Sequence, residues 1–347
     1  LRRALESAPA GRLLLEQDEA VEVRRAGEGW RVRLALGREI EADAVVLALG
    51  VLAPAPPAAA GADLLASPRY IGDPWDPKAR LDAAASDVLL IGSGLTMIDA
   101  AISLWRPGRR FWAISRRGLV PRPHAPTAGA AVPMRTAGSP RELLAAVRAA
   151  SDGGRWREAV DALRPHVQGI WLGWSLAERR QFLRHVRPWW DVHRHRLAPS
   201  VARRIGLMMR GRELVVRAGE LTGLALKQGG VEATWRPRGG RAARRLGVSA
   251  VVNCSGFLGD VEQARDPLLA RLLATGLIRP DPCRLGAEVD VGSRLVGAGG
   301  QAQAGLYAVG PLTRGAFWEI TSAPDIRSQA AGAAQSILST LRRARAA

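Results

Sequence analysis

Gly92, Ser93 and Gly94 close an apolar run, Val88 to Ile91, and open an amphipathic stretch, Leu95 to Trp105. A second apolar run, Phe111 to Ile114, follows. A glycine turn between a strand and a helix suits phosphate. The first glycine permits the tight turn, and the second lets backbone N–H groups at the helix N-terminus approach a pyrophosphate whose charge the helix dipole favours. Met97 holds the place of the third fingerprint glycine, and its side chain is expected to push the helix away from the strand. A cofactor with a free ribose 2′-OH calls for Asp or Glu about 20 residues further on. Ser115, Arg116 and Arg117 stand there instead, a hydroxyl and two guanidinium groups that suit a 2′-phosphate. NADP is therefore favoured over NAD. The alternative is that Arg116 and Arg117 are ordinary surface residues in an arginine-heavy chain.

The elements around this unit are α/β in pattern. Val21, Val23, Val32 and Leu34 alternate with charged residues on either side of the turn Gly27-Glu28-Gly29, as in a β-meander. Ala44 to Leu49 is an unbroken apolar run ending in Gly50, the pattern of a strand buried on both faces of a parallel sheet. The Pro- and Ala-rich stretch that follows reads as a linker. Residues 139 to 210 turn helical, with a capping box at Ser175 and Glu178 opening a helix through Val186, and Pro199 opening another that ends at Gly211. This segment holds five of the eleven tryptophans, which at helical spacing read as core. Strands return at Glu213 to Ala218, Val231 to Trp235 and Val248 to Cys254, and SAVVNCSGF echoes AVVLALG in the first segment. Two apolar strands, each ending in glycine after a hairpin-like stretch, suggest two copies of one nucleotide-binding plan. Near the C-terminus, Leu306 to Val309 is a short buried strand, Gly310-Pro311-Leu312 a turn, and Asp325 onward an Ala-rich helix.

Composition narrows the classes. With 347 residues, 47% hydrophobic and 24% charged, the chain is an ordinary globular one with room for two domains. Its net charge of +18 raises nucleic acid as a partner. All but two basic residues, Lys78 and Lys227, are arginines, and they are scattered without a lysine-rich run or a basic strip interleaved with aromatics. The pattern points to GC-rich coding, with electrostatic recruitment of phosphorylated cofactors as the milder consequence. No nucleic-acid partner is expected. Cys254 and Cys283 are too few for a disulfide framework or zinc site, which suits a reducing cytoplasm, and Cys254 reads as a small buried residue. His193 and His195 lie two apart without an acidic or cysteine partner, so no metal is expected. No run of 18 apolar residues spans a membrane.

IGSGLTMID (91–99), SRRGLVPRPH (115–124), RPWWDVHRHRLAP (187–199), VVNCSGF (251–257) and GLYAVGPLTRGAFWEITSAPDIRSQA (305–330) together carry a resemblance to the FAD/NAD(P)-binding proteins of the two-dinucleotide-domain flavoprotein group, which includes FAD-dependent urate hydroxylases. The resemblance covers the chain from about residue 40 onward. It implies two Rossmann-like three-layer domains, an NADP domain inserted into an FAD domain, with residues 1–82 and 251–347 on the FAD side and 83–250 on the NADP side. Gly92, Ser93, Gly94, Leu95, Thr96, Arg116 and Arg117 match the NADP site. Gly310, Pro311 and Leu312 match the turn along the flavin, which Gly50 would flank, and Trp318 and Glu319 would lie near the isoalloxazine. Glu319 is the best-placed acid or base, with a plain hydrogen-bonding role as its alternative, and the catalytic residue is otherwise unknown. The family's first G-x-G-x-x-G has no counterpart before Gly92, and the chain opens on Leu1, so the first FAD βαβ unit is expected to be missing. The implied activity is an FAD-dependent NADPH oxidoreductase of monooxygenase type acting on a small molecule. The alternative is a non-catalytic NADP-binding or scaffolding module. Substrate and oligomeric state are open.

Overall fold

The computed structural model describes residues 6–7, 9, 12–82, 84–126 and 132–346. The chain begins with a three-stranded antiparallel meander, β1 (Ala20–Ala26), β2 (Gly29–Leu34) and β3 (Glu39–Ala42), and then β4 (Val45–Leu47). A short helix α1 (Ala62–Leu65) and strand β5 (Tyr70–Ile71) lead to β6 (Asp87–Ile91), α2 (Leu95–Ser103) and β7 (Arg110–Ser115). A run of helices follows: α3 (Pro140–Ala150), α4 (Trp156–Leu163), α5 (Val167–Gly173), α6 (Leu176–Gln181), α7 (Arg187–Arg194) and α8 (Pro199–Arg210). The second meander is β8 (Leu214–Lys227), β9 (Gly230–Pro237) and β10 (Arg244–Val248), after which come β11 (Ala250–Asn253), α9 (Pro267–Ala274), β12 (Arg294–Val296), β13 (Ala302–Ala308) and α10 (Ala323–Ala346).

The central sheet has seven strands in the order β10-β9-β8-β7-β6-β11-β5. Its middle is parallel, Val88 opposite Phe111 on one side and Ala250 on the other. Alternation divides β6 between two cores. Val88 and Leu90 face α2 and α8 with Met97, Ile98, Ile205 and Met208, while Leu89 and Ile91 face Leu64, Leu224, Val231 and Trp235. The second layer exists because β8 is long: Leu214 to Ala218 pair parallel with β7, and from Gly219 on, through a bulge at Leu221/Gly223, the strand pairs antiparallel with β9 and curls over the sheet. Both faces are thus covered, as an apolar parallel strand requires. Met97, expected to hold the helix off the strand, is instead fully buried in the first core, so the space a glycine would vacate is filled.

The other unit carries the β12-β13-β4 sheet and the first meander, packed through Trp30, Leu47, Leu269, Leu295 and Leu306. The two-copy reading takes concrete form here: each meander is followed by a strand, β4 or β11, that enters a parallel pairing. Four sequence expectations need correction. β5 pairs with β11, so the boundary at 82/83 falls too late in the chain, and β11 lies inside the central sheet, so 250/251 falls too early. The single strand read over Val248 to Cys254 is two, broken at Ser249, because β10 pairs back onto β9. The helix opened at Ser175 does not stop at Val186 but continues through a π-helical turn, Phe182–Val186, into α7. The Pro/Ala-rich connector is pinned: Asn253 Nδ2 donates to Ala55 O (2.9 Å), Leu224 N to Ala59 O (2.8 Å), and Leu258 N to Leu52 O (3.2 Å). Among the described residues no helix is long and apolar enough to cross a membrane, and no cluster of three potential metal-ligating His, Cys, Asp or Glu side chains occurs.

Candidate functional site

The glycine turn lies at the carboxyl end of β6, where the strand order reverses between β7 on one side and β11 on the other, the place where open α/β sheets bind ligands. Its two glycines differ in kind. Gly92 has φ of +113°, and a Cβ there would sit 2.4 Å from Cys254 O, so this glycine is required by the passage of the β11 loop. Gly94 precedes α2 in extended conformation, and a Cβ there would meet nothing within 4 Å. No side chain caps α2 and its first turn holds no acid, so the N–H groups of Leu95 and Thr96 point into an open, positively polarised space. Gly94 and Leu95 are exposed and Thr96 half-buried, which leaves that space accessible.

Ser93 and Ser115 do not face a ligand. Gly118 N donates to Ser115 Oγ (3.0 Å), the Ser115 and Ser93 hydroxyls are bonded at 2.7 Å, and Ser93 Oγ donates to Leu119 O (2.5 Å). The donor that Ser115 was expected to offer a 2′-phosphate is committed to shaping the turn after β7. Arg117 is half-buried and donates to Arg184 O of the π-helical turn (3.0 Å), whereas Arg116 is exposed with no ion pair among the described residues. Of the three residues read from sequence, Arg116 is the one available to an incoming anion. Burial pushes the Cys254 thiol up to about 12, which removes it as a nucleophile.

The second group of expected residues lies at the carboxyl end of the β4/β13 pair. Ala308 is opposite Leu47, and Val309 N donates to Leu47 O (3.0 Å), so Gly50 and Gly310 leave the sheet from neighbouring strands. Gln329 from α10 staples the turn: its Oε1 accepts from Gly310 N (2.7 Å) and its Nε2 donates to Thr313 Oγ1 (2.8 Å). Pro311 is half-buried, while the Leu312 side chain is buried in the core and its carbonyl accepts from Ala287 N, so Leu312 shapes the turn from below.

Trp318 is not a free face for a flavin ring. It is buried, stacks on Trp171 at 4.7 Å and meets Phe182 edge-on at 5.4 Å. Glu319, at φ of +66°, accepts from Trp190 Nε1 (2.5 Å) and Arg194 Nε (3.1 Å). These two hydrogen bonds clamp the carboxylate and hold the loop in an uncommon backbone conformation. Trp171 Nε1 to Gly315 O and Gln168 Nε2 to Ala316 O, both 2.8 Å, complete the grip of the helical segment on this loop.

Sequence reasoning missed Arg314. Its guanidinium lies over Trp318 (4.7 Å) and Phe257 (5.4 Å), joining the Gly310 loop to the loop after β11. Burial lowers its pKa to about 10, still charged at neutral pH, and its Nε has no hydrogen-bond partner among the described residues. No sequence signal marks one arginine among 48.

Residues 1–52 match the family described as FAD-NAD(P)-binding. Over 114 residues, 31% of this chain, the sequence is 32% identical to uncharacterized proteins of Mycobacterium tuberculosis and Mycobacterium bovis, and the match spans only 20% of those relatives' length. Among solved structures, the fold is similar to L-lysine 6-monooxygenase from Pseudomonas syringae, with TM-score 0.60 and 17% identity over 94% of this chain and 71% of that one. It is similar as well to an ornithine N-hydroxylase of Kutzneria sp. 744 with reduced FAD, NADP+ and L-ornithine (TM-score 0.58, 16% identity, 94% and 72% covered). Thioredoxin reductase of T. acidophilum is similar at TM-score 0.52 and 13% identity, with 93% of this chain and 74% of that one covered. The chain therefore has the two-dinucleotide-domain architecture of FAD/NADP flavoenzymes.

Proposed function

We propose that the chain is the NADPH-binding and flavin-facing part of an FAD-dependent oxidoreductase of monooxygenase type acting on a small molecule. The observation that carries the reading is the uncapped N-terminus of α2 beside Gly94, open and unencumbered at the switch point of a seven-stranded sheet. A nicotinamide dinucleotide fits there. Gly94, Leu95 and Thr96 would hold its pyrophosphate, with Gly92 and Ser93 fixing the turn and Arg116 taking the 2′-phosphate, while Arg117 keeps the loop after β7 against the helical segment. The FAD fit is partial: Gly50, Gly310 and Pro311 lie where a flavin would pass, but among the described residues no glycine-rich helix N-terminus lies beside β4 to receive a second pyrophosphate. The cofactors supply hydride donation and its onward transfer to oxygen or an organic acceptor. The protein's own contribution is positional. Gln329 fixes the Gly310 turn, Glu319 fixes the loop that follows, and Arg314 sets a positive charge between the loops of the two units.

Titration with NADPH and NADH tests the nicotinamide half. Wild type binds NADPH at least tenfold more tightly, and Arg116→Ala removes the preference; equal affinities in wild type overturn it. A second reading, an NADP-binding module without flavin chemistry, draws support from β4, which has a strand neighbour on one side only among the described residues. Titration with FAD separates the two, since saturable binding with a flavin absorption band excludes the module.

A further inference from the structure

The helical segment lines a partly open pocket of about 530 Å³ whose walls come from α3, α4, α5, the π-helical turn and α7. That size lies within the roughly 300 to 1,000 Å³ typical of small-molecule sites. Leu143, Val160 and Ile170 line it together with Trp156, Trp171 and Trp190. The indole N–H groups that have partners are bonded away from it: Trp171 to Gly315 O, Trp174 to Gly138 O, and Trp190 to Glu319. The rings of Trp171, Trp174 and Trp190 consequently offer carbon to the interior. Among the described residues no carboxylate lines the cavity, and the one guanidinium that does belongs to the exposed Arg148. His193 Nδ1 donates to Trp189 O (2.8 Å), and the ring packs edge-on against Trp156. An ammonium group entering this space would lose its water and find no counter-charge, whereas rings and hydrocarbon would lose nothing polar.

We propose that this cavity binds a largely apolar organic molecule without a cationic group. Trp318 closes the cavity on the side of the loop that begins at Gly310, eight residues earlier, so the bound molecule rests against the same loop that is read as flavin-facing. Its assignment as substrate depends on that reading; its binding does not. The ligand class also departs from the solved neighbour that holds L-ornithine, whose charged amines have no partner here.

The test is a titration of tryptophan emission with 1-naphthol, uncharged at neutral pH, against L-ornithine. Wild type shows saturable quenching by 1-naphthol at one site and none by L-ornithine. Val160→Trp fills the cavity from α4 and weakens 1-naphthol binding at least tenfold while leaving NADPH affinity within twofold. Ile170→Phe, on the α5 wall, repeats the test should the first variant fail to fold. Gly94→Val, which removes the nucleotide cradle, leaves 1-naphthol binding unchanged, so failure of the nicotinamide reading and failure of this one give different results. Absence of saturable quenching in wild type, competition by L-ornithine, or unchanged 1-naphthol affinity in a folded filled variant overturns the proposal.

Discussion

The two dinucleotide units follow one plan and differ in how far it is carried out. In the second, β11 is paired on both sides, with β6 and β5, and the glycine turn after β6 is pressed against Cys254 O. In the first, β4 is paired only with β13 among the described residues, and Gly50 and Gly310 both leave the sheet into open space. The contrast separates glycines that a fold needs from a glycine a ligand needs: a Cβ at Gly92 collides with backbone, Gly50 and Gly310 have open space but backbone φ of +71° and +79° that favours glycine, and of the four only Gly94 combines an ordinary φ with nothing within 4 Å of a Cβ.

The sharpest way to break that distinction is Gly92→Ala. The new methyl group would meet Cys254 O at a backbone angle that L side chains rarely adopt, and the variant is expected to lose about 4 kcal/mol or more. Thermal or denaturant unfolding reads this directly, and a stable Gly92→Ala protein would remove the structural half of the comparison. The Glu319 clamp comes next. Removing the carboxylate strands Arg194 and the Trp190 N–H in a largely buried setting, so Glu319→Ala should cost about 3 kcal/mol, with the loss seen as a shift in tryptophan emission. NADPH affinity should stay unchanged, because the clamp belongs to the Gly310 loop and not to α2.

Much of the second unit was legible in sequence because short-range rules govern it. The apolar runs of β6 and β7, the turn between strand and helix, and the caps at Ser175 and Pro199 are local signals, and each appears at its place. Long-range pairing was not legible. β5 joins β11 from far along the chain, Tyr70 opposite Val251, and β10 is hidden because Arg244 to Val248 is short and arginine-rich, its partner β9 supplying the ladder. The site divided in the same way. Gly94 and Arg116 were readable from position alone, but the hydroxyl of Ser115 is bonded to Ser93 across 22 residues, and Trp318 is stacked on Trp171 from a distant segment. The density of tryptophan between 156 and 190 announced a core; that the core is partly hollow follows only from packing.

A smaller effect concerns Arg116. A charge-assisted contact to the 2′-phosphate contributes about 1.5 to 3 kcal/mol, so Arg116→Ala should weaken NADPH binding at least tenfold and leave NADH binding unchanged. Arg117→Ala should cost less, since its guanidinium is shared with Arg184 O. The smallest effect is one of pH. Burial lowers the pKa of His195 below its ordinary 6.5, so the unfolded chain takes up a proton more readily than the folded one. Stability should therefore fall as pH drops below about 6.5 and level off below the folded value. His195→Gln should flatten that part of the profile, and an unaltered profile would show that the acid sensitivity arises elsewhere.

The central claim is that the open helix N-terminus beside Gly94 is a nucleotide cradle. The most direct measurement is NADPH affinity and thermal transition taken together for wild type and Gly94→Val. A branched side chain there meets no protein atom but occupies the space through which a pyrophosphate would approach α2. The account predicts an unchanged transition and loss of NADPH binding. Retained NADPH affinity at an unchanged transition would contradict it and reduce the glycine turn to a structural feature.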